Sequence, residues 1–215
     1  MHPTWFEKGQ SFYATGNYRE AVEAYTRAIE MDPDNGLAHH NRGLAYAKLG
    51  NFEAAMKDFD RAIELNPKDA TAYYNRGNAY YAGRGDFRRA IKDYDKAIAL
   101  SPRLGAAYYN RGNAHGKVGD LQQAIRDYGK AIALGPDHAA AYYNRGIAFR
   151  KIGSARLAIR DFDRVIALNP ADGAAYRERG NAYTDMGDTR QAMRDFTISA
   201  NKETLEYLDL AGIEW

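Results

Sequence analysis

From Phe52 to Ile63 the chain reads Phe-Glu-Ala-Ala-Met-Lys-Asp-Phe-Asp-Arg-Ala-Ile, with apolar residues recurring at spacings of three and four. That is the period of an amphipathic helix with one face turned to a core. The phrase returns along the chain and closes on Ala-Ile-Glu-Leu-Asn-Pro at 62–67 and on Val-Ile-Ala-Leu-Asn-Pro at 165–170. Five prolines, Pro33, Pro67, Pro102, Pro136 and Pro170, stand 34, 35, 34 and 34 residues apart. Self-similarity at such a period marks stacked supersecondary units rather than a single globular core. Counting back from the prolines sets six repeats at 2–35, 36–69, 70–104, 105–138, 139–172 and 173–204. The extra residue of the third is expected at Gly83-Arg84-Gly85, a turn in which insertion costs little.

Each repeat predicts two helices. Between them stands a stop-and-start pair: Gly50-Asn51, Gly85-Asp86, Gly119-Asp120, Gly153-Ser154 and Gly187-Asp188. The glycine can end the first helix in left-handed conformation, and the next side chain caps the second. Gly16-Asn17 does the same in the first repeat, where Glu20 is placed to complete a capping box. The residue before each proline is driven out of helical geometry, which ends the second helix. A further glycine lies inside every first helix: Gly9, Gly43, Gly77, Gly112, Gly146 and Gly180. Glycine there costs about 1 kcal/mol relative to alanine, so close helix contact is expected, with Ala21, Ala55, Ala90, Ala124, Ala158 and Ala192 as the matching small residues. Aromatics such as Tyr46, Tyr80, Phe149 and Tyr183, with Phe59, Tyr94, Phe162 and Phe196, are expected to fill the hairpins as core.

The order of a large residue, Gly, aromatic, Gly, Ala, aromatic, Ala and Pro resembles the tetratricopeptide repeat (TPR) pattern. Tyr73, Gly77, Tyr80, Gly85, Ala90, Tyr94, Ala97 and Pro102 carry it in one unit. His115 departs from it at an aromatic position, Val165 and Ser199 depart at a small one, and the last repeat has no closing proline. The resemblance implies an all-α, right-handed superhelical solenoid of antiparallel helix pairs, with first helices lining a concave groove and second helices forming the back. It also implies that the groove is lined from the second, fifth, sixth, ninth, twelfth and thirteenth places of each repeat.

Tyr74, Tyr109 and Tyr143 stand at the fifth place, and Asn41, Asn75, Asn110 and Asn144 at the sixth. Asn78 and Asn113 recur at the ninth, while Lys117 and Lys151, with Arg150 beside the latter, put positive charge at the later end. An amide side chain both donates and accepts, which suits an extended peptide backbone, and tyrosine adds rigid amphipathic contact area. The same repeated identity fits a framework in which each asparagine bonds to an adjacent helix. Some TPR relatives clamp a terminal carboxylate with basic residues in adjoining repeats. Here those places hold Thr71, Ala106 or Ala140 after the asparagine and Phe6, His40 or Tyr74 before it, so that clamp is not expected.

Arg42, Arg76, Arg111, Arg145 and Arg179 recur with Asp58, Asp93, Asp127, Asp161 and Asp195, whereas the first repeat has Lys8 and Ala24. Arg and Asp appearing or vanishing together predicts an ion-pair ladder; the alternative is an anion-binding arginine stripe. With 30 Lys and Arg against 28 Asp and Glu, no strong field favours nucleic acid. The chain has no cysteine, which excludes thiolate nucleophiles and Cys-based metal sites. No stretch approaches the roughly 20 apolar residues of a membrane helix, and the start has no signal-peptide pattern. His39 and His40 are adjacent and face different sides of a helix, so they form no i, i+4 metal pair. No nucleotide or nucleophile motif occurs.

The expectation is therefore a non-enzymatic, cytoplasmic scaffold without cofactor, membrane insertion or nucleic-acid ligand. It would bind a protein or peptide, with self-association open. A recruiting arm of a larger enzyme or secretion complex, or a nucleic-acid-binding helical repeat, are the alternatives. Residues 205–215 are expected to cap the last repeat, with docking in a groove as the rival role.

Overall fold

The computed structural model describes residues 3–210, with side chains for all of these but 84 and 202–210. Twelve α-helices alternate with short turns: α1 (Trp5–Ala14), α2 (Tyr18–Met31), α3 (Gly36–Lys48), α4 (Phe52–Leu65), α5 (Ala70–Ala79) and α6 (Phe87–Leu100), then α7 (Gly105–Val118), α8 (Leu121–Leu134), α9 (Ala139–Lys151), α10 (Ala155–Leu168), α11 (Gly173–Asp185) and α12 (Thr189–Leu210). No strand occurs among the described residues. The chain divides within α7 into two compact units, Met1–Ala114 and His115–Trp215. In the first, α1 pairs with α2, α3 with α4 and α5 with α6; in the second, α9 pairs with α10 and α11 with α12. The role expected of residues 205–215 falls on side chains outside the described residues, although α12 itself runs on unbroken to Leu210.

The turn glycines behave as expected, with φ between 61° and 87° at all six. The caps are less uniform. Asn51, Asp86 and Asp120 accept from the third residue of the helix that follows. Asn17 and Ser154 make no side-chain cap bond. The Asn17 amide instead donates to the Thr15 hydroxyl at 3.2 Å, so the capping box expected with Glu20 does not form. A capping box does open α1, where the Glu7 N–H donates to Thr4 Oγ1 at 3.2 Å and the Thr4 N–H donates to Glu7 Oε2 at 2.7 Å. The Thr4 N–H, joined by the Thr4 hydroxyl donating to the same Oε2 at 3.0 Å, holds the Glu7 carboxyl below its ordinary range.

Five of the interior glycines, Gly9, Gly43, Gly77, Gly146 and Gly180, have an aromatic ring as their nearest neighbour. A Cβ on Gly77 would lie 2.7 Å from the Tyr94 ring, and one on Gly146 would lie 2.8 Å from Phe162. The first helix thus rests directly on a second-helix aromatic ring. Tyr25, Phe59, Tyr94 and Phe162 are each at most 1% exposed, and the paired alanines Ala21, Ala55, Ala90 and Ala158 are fully buried beside them.

The extra residue of the third repeat is not carried by an enlarged loop. Tyr80–Arg84 continues α5 as a π-helical turn that ends at left-handed Gly85, the usual way a helix absorbs one inserted residue. Gly83 fits there because a Cβ would fall 2.4 Å from the Phe52 side chain of the preceding hairpin.

The expected ion-pair ladder is present and has a second tier. Arg42 binds Asp58 through Nε at 2.8 Å and Nη2 at 2.7 Å. Arg76 with Asp93, Arg145 with Asp161 and Arg179 with Asp195 repeat this bidentate fork at 2.7–2.8 Å. The aspartates are 2–6% exposed. The remaining Nη1 reaches back to the preceding hairpin: Arg76 to Asp60 at 2.7 Å, Arg111 to Asp95 at 2.6 Å and Arg179 to Asp163 at 2.6 Å. Each of these arginines therefore ties its own hairpin to the one before it.

Candidate functional site

Three of the expected asparagines come together in the first unit. Asn78 of α5, with Asn110 and Asn113 of α7, lines a pocket of about 170 Å³ completed by Tyr81, Ala82 and Tyr94. Its base is a hydrogen-bonded cluster. Tyr94 Oη donates to Asn78 Oδ1 at 2.8 Å, and Asn110 Nδ2 donates to the same oxygen at 2.8 Å and to Tyr74 Oη at 3.1 Å. Burial drives the Tyr94 phenol well above its ordinary range, so it remains a donor. The bonds leave Asn78 Nδ2 and Asn110 Oδ1 without a protein partner among the described residues. A donor and an acceptor on adjacent amides complement one peptide group or one amide side chain. No charged side chain among the described residues lines the pocket.

A homologous pocket lies one step from the other end of this unit. Gln10, Tyr13, Tyr25, Asn41 and Leu44 enclose about 230 Å³, and their places in the repeat match Asn78, Tyr81, Tyr94, Asn110 and Asn113 in turn. Asn41 hydrogen-bonds the buried Tyr25 phenol, whose pKa is raised first by burial. Sequence reasoning missed Tyr13 and Tyr81, although both occupy the twelfth place that the repeat pattern marks.

Asn75 has a different environment. Its Nδ2 lies 3.1 Å from His40 Nε2, on the preceding first helix. The amide donates, so the ring proton sits on Nδ1, which faces Asp69 Oδ2 at 3.6 Å. Burial lowers the His40 pKa and outweighs the opposing Asp69 charge. Tyr109 is half-buried on α7 and close enough to Tyr81 to help raise its pKa, after burial.

The second unit gathers charges. Tyr143 packs on Phe162 with ring centroids 5.9 Å apart; burial first, then Glu178, raises its pKa. Arg150 lies 3.4 Å from Glu178 and 3.5 Å from Asp185. Its charge is therefore compensated within the protein, which leaves the exposed Lys117 and Lys151 as the part of the expected basic end without an ion pair among the described residues. Asn144 is half-buried on α9. Among the described residues no group of three His, Cys, Asp or Glu could hold a metal ion, and no helix is long and apolar enough to cross a membrane.

Family models described as "Tetratricopeptide repeat" match residues 6–70, 41–104, 80–116, 105–138 and 139–172. Among solved structures, MamA is 27% identical with a TM-score of 0.74, over 77% of this chain and 96% of that one. YrrB, described as "a TPR protein with an unusual peptide-binding site", is 23% identical with a TM-score of 0.77, over 89% of this chain and 98% of that one; it shows the fold alone. The curated RNA polymerase II-associated protein 3 of Xenopus laevis is 42% identical over 40 residues, 19% of this chain. The match spans only 6% of that relative's length.

Proposed function

The chain belongs to the tetratricopeptide repeat family, and we propose that it is a protein-interaction scaffold whose first unit takes an extended peptide along α1, α3, α5 and α7. The observation that carries this reading is the pocket at Asn78, Asn110 and Asn113, with Asn78 Nδ2 and Asn110 Oδ1 left over from the cluster beneath it. A peptide group would donate its N–H to Asn110 and accept from Asn78. The homologous pocket at Asn41 would accept a second residue of the same segment. Tyr74 and Tyr109 would supply flanking contact area. No catalytic family is indicated by the matches.

The test is selection from a random peptide display library on the wild-type chain, followed by affinity measurement on Asn78→Asp. That substitution keeps the oxygen that Tyr94 and Asn110 donate to, but replaces the free NH₂ with a charged acceptor. Selected peptides should bind it at least about tenfold more weakly, a loss of about 1.4 kcal/mol, with an unchanged helical spectrum. Equal affinity for both proteins would remove the pocket from the binding site.

A further inference from the structure

The second tier of the ion-pair ladder has one open rung. Where Arg76, Arg111 and Arg179 each place Nη1 against Asp60, Asp95 and Asp163, Arg42 places it against Thr26 Oγ1 at 3.0 Å. The corresponding residue before Arg145 is Gly129. A Cβ built there would lie 3.5 Å from Arg145 Nη1, and no other atom of a neighbouring element falls within 4 Å of it. The space that a carboxylate fills in three other repeats is therefore open, and the donor that would meet it is already in place.

That donor is held rigidly. Asp161 fixes the guanidinium through Nε at 2.8 Å and Nη2 at 2.7 Å. The Tyr142 and Phe149 rings lie 5.5 and 5.8 Å from its carbon. At 22% the Arg145 side chain is the most exposed of the series, against 18–20% for Arg42, Arg76, Arg111 and Arg179. The filled rungs show that a guanidinium so held accepts a second carboxylate: Arg76 serves Asp93 and Asp60 together, and Arg179 serves Asp195 and Asp163. They also show that this rung lies at the surface, since Asp60, Asp95 and Asp163 have 49–54% of their side chains exposed. Pre-organisation of the donor lowers the ordering cost of a ligand, and a charge-assisted N–H···O⁻ bond is stronger than a neutral one.

We propose that the open position between Gly129 and Arg145 is a binding site for a carboxylate from outside the chain, which completes the ladder as Asp60, Asp95 and Asp163 do elsewhere. The site is independent of the asparagine pockets and would be a second docking point, reading one acidic group. An aspartate or glutamate side chain of a partner and a free small carboxylate share this chemistry.

The experiment follows the side-chain N–H signals of Arg145 by NMR in the full chain while sodium acetate replaces sodium chloride at constant ionic strength. The expected result is a saturable shift in the millimolar range for wild type and for Gly129→Ala, and none for Gly129→Asp, in which the rung is filled from within. Gly129→Asp should also melt a few degrees above its isostere Gly129→Asn at low salt, with the gap closing as the carboxylate is protonated. N-acetyl-aspartate N-methylamide acting at lower concentration than acetate assigns the site to a partner's side chain; equal potency assigns it to a free carboxylate. An Arg145 shift that is unsaturable, or equal in Gly129→Asp, overturns the proposal. So does a Gly129→Asp protein no more stable than Gly129→Asn.

Discussion

Two places in the repeat are built alike and furnished differently. In the first unit the buried ring is Tyr94, and its hydroxyl gathers Asn78 and, through it, Asn110. In the second the same ring is Phe162, which brings no hydroxyl, and the neighbouring polar positions hold the Arg150–Glu178 pair. Both rings lie at most 1% exposed beneath a first-helix glycine. The backbone scaffold is thus indifferent to one oxygen atom, while the wall above it changes from neutral amides to opposed charges. Packing and the proposed recognition are written in different atoms of one residue.

Breaking the shared part should have the largest effect. Asp161→Ala strands Arg145 with a half-buried, unpaired charge and should lower stability by about 3–5 kcal/mol, read by urea denaturation. Gly77→Leu and Gly146→Leu force a side chain into the Tyr94 or Phe162 ring, a loss of about 3 kcal/mol in either unit. If one tolerated leucine, the two hairpins would not share the close packing described. The part that differs should respond less. Tyr94→Phe removes the hydroxyl and should cost about 1 kcal/mol while weakening peptide capture. Its reverse, Phe162→Tyr, should add no capture in the second unit.

The smallest expected effect is a pH slope at His40. Its folded pKa lies below the ordinary 6.5, so the unfolded chain binds more protons in the window between the two values. Stability should then be fully present above pH 6.5 and fall as the pH drops through that window. Replacing His40 with Asn should flatten this part of the profile relative to wild type, checked by denaturation at a series of pH values.

The helices, their turns and the first tier of the ladder were legible because each is local or repeats at fixed spacing. Gly50 and Asn51 announce a helix junction by chemistry that acts over two residues, and Arg42 announces Asp58 because they recur and vanish together. Asp60, Asp95 and Asp163 were not picked out, since their partners lie in the following hairpin and single exposed aspartates are common on helix surfaces. The interior glycines advertised a close approach but not what approaches. Alanine and the aromatic recur with the same period, and periodicity alone cannot separate them. The asparagine cluster was anticipated as a row, whereas its pocket depends on Tyr94, which reads as core. The π-helical turn was signalled by the single 35-residue interval, Pro67 to Pro102, but a length excess does not say whether a loop or a helix takes it up.

That turn has a consequence for recombination. Gly83 sits where only a hydrogen atom clears the Phe52 side chain, so the third repeat carries an imprint of the second. Repeat arrays are commonly treated as cassettes that can be duplicated, deleted or shuffled. Here the second and third repeats form a matched pair: a copy of the third set behind the fourth or fifth, which carry Leu121 and Ala155 at the place of Phe52, would lose the ring its bulged helix end is moulded on. The unit of duplication in this stretch of the chain is therefore two repeats, not one.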